Sequence, residues 1–139
     1  RRRDQKPKDI DKRIPMTRDG RLDLAAIKDM IEAKQLKDAA RLLHSAPDEL
    51  PDLARGLNLA ALHAFCEERH HAAHMLWSRA HLLEPDLPNV MFSLARVRIE
   101  LGKYSDAKPV LDKLAIVMPH FSLAEDLMEI VRHRAGADS

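Results

Sequence analysis

The feature that most constrains this chain is a period. Pro51, Pro85 and Pro119 stand 34 residues apart, and so do Ala39, Ala73 and Ala107. Two further series keep the same phase: Leu43, Trp77 and Leu111 are large and apolar, and Ala46, Ala80 and Leu114 follow three residues behind them. A fixed period of this length means one supersecondary unit that cannot bury its apolar face alone and therefore stacks on copies of itself. The units span about residues 20–53, 54–87 and 88–121 of a 139-residue chain, a length that suits one domain.

Each unit reads as two helices. In the second unit Leu57, Ala60, Ala61 and Ala64 mark one apolar face at i, i+3, i+4, i+7, the helical period. Glu67, Glu68, Arg69 and His70 break that pattern, and Ala72, Ala73, Leu76, Trp77 and Ala80 resume a second face. Pro85 then stops the pair as Pro51 did one unit earlier, with Asp52 and Asp86 placed to cap the helices that follow. In the third unit Met91, Leu94, Ala95 and Arg98 hold the matching positions. Gly102 is expected as a left-handed C-cap, and Ser105 as the cap of the partner helix. The first unit has Ala26, Ile27 and Met30, a turn at 34–37, and a second helix through Ala39, Leu42 and Leu43. Residues 122–134 form one more amphipathic helix, with Leu123, Leu127, Ile130 and Val131 as its stripe, and are expected to cap the stack.

A 34-residue helix–turn–helix with a small Ala in its second helix, a large apolar residue four later, Ala again and a closing Pro resembles the tetratricopeptide repeat (TPR). The stretch from Gly102 to Ala107 is similar to the family's inter-helix turn. Departures from the pattern are Ala64 and Arg98 where Tyr is usual, Ala61 and Ala95 where Gly is frequent, and Pro109 early in a helix. The resemblance implies an all-α fold: a right-handed superhelix of stacked antiparallel helix pairs, about seven helices with the capping helix included.

Composition agrees with helix. Apolar residues are 45% and charged residues 32%, aromatics only 4%, and Ala, Leu, Glu, Lys and Arg dominate over β-branched residues. The net charge of +1 hides an asymmetry: residues 1–18 carry eight Lys and Arg against three Asp, a surplus of five, so the rest is net acidic. Residues 1–15 are basic, contain Pro and lack apolar periodicity, so they are expected to form a flexible arm or linker. The sole cysteine, Cys66, excludes an intrachain disulfide and is compatible with a reducing, cytoplasmic setting. The chain starts at Arg rather than Met, which suggests a longer parent. A periplasmic location, or a membrane anchor before residue 1, is the alternative.

Little catalytic chemistry is written here. Cys66, His70, His71 and His74 lie close together, but their spacing matches no zinc motif, so no metal and no cofactor is expected. Glu67 and Glu68 beside Cys66 disfavour a thiolate nucleophile, and no phosphate loop or Ser/His/Asp set is present. An enzyme is therefore not expected. Nucleic-acid binding would rest on the arm alone, because the remainder is net acidic.

What the resemblance implies is a non-catalytic module that binds a peptide or helix of another protein in a concave groove lined by the first helix of each unit. The first unit would contribute Arg21, Leu24, Lys28 and Ile31, and the second Arg55, Asn58, Leu62 and Phe65. The third would add Asn89, Phe92, Arg96 and Ile99. This lining is basic and apolar, so the implied ligand carries acidic residues among large apolar ones. Family members that grip a chaperone's C-terminal carboxylate use Lys and Asn in the first unit, Asn in the second and Lys or Arg in the third. The corresponding residues here are Leu24 and Lys28, then Leu59, then Asn89 and Ser93. Only Lys28 is suggestive, so that clamp is not expected. The alternative reading is a structural scaffold, or a self-assembling homo-oligomeric subunit of a secretion, pilus or membrane-biogenesis complex.

Overall fold

The computed structural model describes residues 14–138. Seven α-helices run through them: α1 (Leu24–Glu32), α2 (Leu36–His44), α3 (Leu53–Cys66), α4 (His70–Leu83), α5 (Pro88–Glu100), α6 (Tyr104–Val117) and α7 (Ser122–Asp138). The described residues contain no strand beyond an isolated antiparallel bridge between Met16 and Leu22. Three-residue turns fold α1 against α2, α3 against α4 and α5 against α6, and α7 packs on α6. The result is an all-α solenoid of stacked antiparallel helix pairs.

The period is visible in the backbone itself. The middle residue of each three-residue turn is left-handed: Lys34 (φ 66), Glu68 (φ 63) and Gly102 (φ 76), each 34 residues from the next. Around them the hydrogen bonds repeat. The N–H groups of Gln35, Arg69 and Lys103 donate to the carbonyls of Met30, Ala64 and Arg98 at 2.8, 2.8 and 2.7 Å. Those of Lys34, Glu68 and Gly102 donate to Ile31, Phe65 and Ile99 at 3.0, 2.9 and 2.9 Å. This is the Schellman closure, which satisfies the last carbonyls of the first helix and reverses the chain. Only the third unit places Gly where the backbone favours it.

The small and large series fill the core. Ala39, Ala73 and Ala107 are buried, as are Leu43, Trp77 and Leu111 and then Ala46, Ala80 and Leu114. The small residues let helices approach closely, and the large ones fill the space between pairs. Gly56 sits at a close approach: a Cβ there would lie 2.9 Å from Cδ2 of Leu43 and 3.4 Å from Cδ1 of Leu22. At the far end the pattern turns polar. Met91 and Ala95 are fully buried in α5, whereas the residues 34 later, Glu125 and Glu129, are exposed. Glu129 accepts from Arg132 at 3.2 Å, so the position a further helix would cover is charged.

Several local expectations are corrected. Asp52 precedes α3 but makes no side-chain cap bond; its carboxylate is taken by two arginines. Asp86 is exposed and pairs with Lys113 at 3.4 Å, while Leu87 holds the N-cap position and Pro88 opens α5. Ser105 lies inside α6, which starts at Tyr104 behind an N-cap Lys103 that makes no side-chain bond. His70 is the first residue of α4, not part of the turn. Pro109 is the sixth residue of α6, and the helical ladder already begins at Ala107, whose N–H donates to the Lys103 carbonyl at 3.1 Å. Pro109 is therefore not at a free N-terminal site, and the Ser105 carbonyl loses its helical donor. Ser105 is exposed, and water can serve that carbonyl.

Most of the arm expected over 1–15 lies outside the described residues. Ile14, however, is half-buried against the core, and the Pro15 carbonyl accepts from the Asp23 N–H at 2.9 Å. The folded part therefore begins by residue 14, ahead of the expected boundary.

Candidate functional site

The first helices of the pairs leave one stripe uncovered, at i, i+4 and i+7, where residues share a helical face. On and just before α1 it comprises Arg21, Ala25 and Lys28, all exposed. On α3 it is Arg55, Leu59 and Leu62, with Leu62 43% exposed. On α5 it is Asn89, Ser93 and Arg96. Because the helices repeat in register, these stripes lie side by side and form one surface.

Two contacts stitch that surface together. The Arg96 guanidinium of α5 sits 4.7 Å above the ring of Phe65 on α3. Such cation–π contact is worth about 0.5–1 kcal/mol at an exposed site, enough to bias the side chain across the gap between helices. Phe92 packs on Phe121, with ring centroids 5.3 Å apart, which ties α5 to the segment entering α7. Among the described residues Arg96 pairs with no carboxylate, so its charge is available.

The other cations are partly committed. Asp52, buried at 7% exposure, accepts from Arg21 Nε and Nη2 at 3.0 and 2.9 Å and from Arg55 Nη1 at 3.3 Å. One carboxylate between two arginines leaves a single positive charge at that corner. The bidentate Arg21 bond fastens the segment before α1 to the start of α3. Lys28 lies 4.0 Å from Glu32 one turn on, a weak surface pair.

The remaining expected residues divide by burial. Ile31 is 3% exposed and belongs to the core, which corrects its placement on the groove. Leu24, Phe92 and Ile99 are half-buried against the core. Asn58 Oδ1 accepts from the Trp77 indole N–H at 2.8 Å, so it satisfies a buried donor. Phe65 is half-buried and packs on Trp77 (5.8 Å) and His70 (5.0 Å) as well as under Arg96.

Residues the sequence reading missed are those that hold the frame. Arg79 on α4 donates to the carbonyls of Leu43, His44 and Ala46 and to the Asp48 carboxylate (2.8 Å), clamping the end of α2. Arg98 donates from Nε to His74 Nε2 at 3.2 Å and from Nη1 to the Asp106 carbonyl at 3.0 Å, so it occupies the usual Tyr position with a polar bridge to α4 and α6. An arginine is always a donor, so His74 Nε2 must be the bare nitrogen of a neutral ring. Burial, then the charges of Arg98 and Lys103, hold the His74 pKa below its ordinary value. Burial, then Lys113 and Arg98, do the same for His81, whose buried Nδ1 has no partner. His71 and Cys66 are exposed. Among the described residues no three His, Cys, Asp or Glu side chains group as a metal site would require.

Two clefts lie away from this stripe. One, of about 420 Å³, sits between the turns of the first two pairs and is lined by Lys34, Lys37, Arg41, Glu67 and Arg69. The other, of about 320 Å³, lies between α6 and α7 against Leu111, Met118, Phe121 and Met128.

No protein-family model and no curated protein matches the sequence. Among solved structures the chain is similar to PcrH from Pseudomonas aeruginosa, with a TM-score of 0.55 and 16% sequence identity over 87% of this chain and 96% of that one. At that identity the likeness is one of fold. It agrees with a TPR-like helical repeat.

Proposed function

We propose that the chain is a non-catalytic protein-interaction module that holds a peptide or helix of a partner protein in the groove formed by its first helices. The observation that carries the reading is the uncovered stripe itself, in which Arg55, Leu62 and Arg96 are exposed side by side and Arg96 spans two helices over Phe65. A ligand with carboxylates among large apolar side chains complements it in charge and in polarity. No helix of the described residues is long and apolar enough to cross a membrane. A cytoplasmic setting fits the exposed thiol of Cys66, which an oxidising compartment would leave open to cross-linking.

Panning a random 16-residue displayed peptide library on the immobilised protein tests this directly. The proposal expects enriched peptides that combine Asp or Glu with Leu, Phe or Ile. Their affinity should fall about 30-fold or more for Phe92→Ala, an aromatic anchor, and less for Arg96→Glu, which chiefly slows association. Absence of enrichment, or unchanged affinity in both variants with unchanged circular dichroism, refutes it.

A second reading has its own observation. Met75, Leu82 and Ile116 are 56%, 80% and 80% exposed on the second helices, and Leu82 and Ile116 stand one period apart. An apolar row on that side favours assembly into a scaffold or homo-oligomer, and a concentration-dependent mass lost in Leu82→Glu with Ile116→Glu would support it.

A further inference from the structure

The same stripe continues onto α7. One period after Asn89, Ser93 and Arg96 stand Leu123, Leu127 and Ile130, and Leu123 and Ile130 are 54% and 41% exposed. These two lie apart from the buried Ala124 and Val131, by which α7 packs, and from the charged Glu125, Glu129 and Arg132 that end the stack. They therefore neither hold the cap in place nor wait for a further helix. The Phe92–Phe121 pair, whose Phe121 stands two residues before Leu123, carries apolar surface from α5 to the start of α7. Read from α1 to α7, the stripe carries a cation on each of the first three walls (Arg21 and Lys28, then Arg55, then Arg96) and turns wholly apolar on α7. Exposed Asp126, one period after Phe92, adds a negative charge at the apolar end.

We infer that α7 is the fourth wall of the binding surface, and that this surface fixes the direction of its ligand: a partner segment lies with its acidic residues against the cations of α1, α3 and α5 and its large apolar residues against the Phe92–Phe121 pair and α7. The inference rests on the proposed groove function and adds to it a direction and a length. The charge gradient supplies the direction, because a carboxylate gains attraction beside Lys28, Arg55 and Arg96 and meets Asp126 and apolar surface on α7. Four neighbouring first helices, at roughly 10 Å per packing step, span about 30 Å. About nine residues of extended chain cover that distance. A segment with clustered acids at one end and Leu, Ile or Phe at the other, about nine residues long, is the partner chemistry implied.

The test uses a 16-residue peptide recovered from the displayed library, synthesised with a nitroxide at one end or the other. With the label at the apolar end, the amide signals of 122–134 should broaden; with the label at the acidic end, those of 21–32 should. Leu123→Ser with Ile130→Ser should weaken the same peptide about 30-fold. Both sites are exposed, so circular dichroism should not change. Broadening in the opposite sense, or of the second helices, overturns the inference. So does unchanged affinity in the double variant while Phe92→Ala still weakens binding, an outcome that leaves the groove function standing. If the double variant instead turns a dimer into a monomer with peptide affinity intact, the α7 stripe is a self-association surface and the inference fails. Failure of the library to yield any peptide overturns both.

Discussion

Replacing Arg79 by Met keeps the length of the side chain and removes its fork. The guanidinium is only 16% exposed and serves three carbonyls at and beyond the end of α2, together with Asp48. Those carbonyls are the free acceptors every helix C-terminus leaves behind. Loss of a charged donor at about 1 kcal/mol per partly wetted carbonyl amounts to about 3 kcal/mol. Asp48 is 73% exposed, so its pair adds little. For a domain of this size about 3 kcal/mol corresponds to a fall in Tm of about 10 °C. Because a solenoid is held together by neighbour contacts, the loss should be local. Amide exchange should accelerate in α1 and α2, whose main neighbours are α3 and α4, and stay unchanged in α5 and α6. Arg79→Lys should recover a minor share, since one ammonium cannot address three carbonyls in a plane. A Tm within about 2 °C of the parent, with exchange in α2 unaltered, would refute the clamp.

Ala73→Leu should destabilise by roughly 1–3 kcal/mol, because Ala73 is fully buried at a helix crossing, whereas Leu at half-buried Ala40 should cost less; thermal melts compare them. Glu68→Gly should raise stability by about 0.5 kcal/mol by placing Gly at a left-handed position, net of the freedom it adds to the unfolded chain, as urea unfolding would measure. Acid should loosen the seam between the second and third pairs. The lowered pKa values of His74 and His81 mean that the folded state binds fewer protons than the unfolded chain. Stability is therefore full above about pH 6.5 and falls as pH drops through that value, so the urea midpoint should decrease from pH 7.5 to 5.5. The decrease should shrink in His74→Gln with His81→Gln. Equal pH dependence in parent and variant would remove these histidines from the account.

The period was readable because it is written in residue size: Ala, Trp and Leu recur where close crossings and the filled spaces between them recur. Local capping was less readable. Asp52 looks like a helix cap in one dimension, and only the approach of Arg21 from 31 residues away shows its carboxylate to be an ion-pair centre. Ser105 likewise has a capping residue's chemistry, yet the Schellman closure at Gly102 starts the next helix one residue ahead of it. Of the candidate surface, the register supplied Arg55, Leu62 and Arg96 as neighbours on one face. It also placed Ile31 there, because a position count cannot tell that the short first pair draws Ile31 into the core. Arg79 and Arg98 could not be found by pattern, since their partners are backbone carbonyls and one neutral ring.

Chemical-shift mapping of the parent protein with a library-derived peptide measures most directly which face of the solenoid a partner occupies. The largest changes should fall on Arg55, Leu62, Phe65, Phe92 and Arg96. Changes centred instead on Met75, Leu82 and Ile116 would contradict the proposed groove.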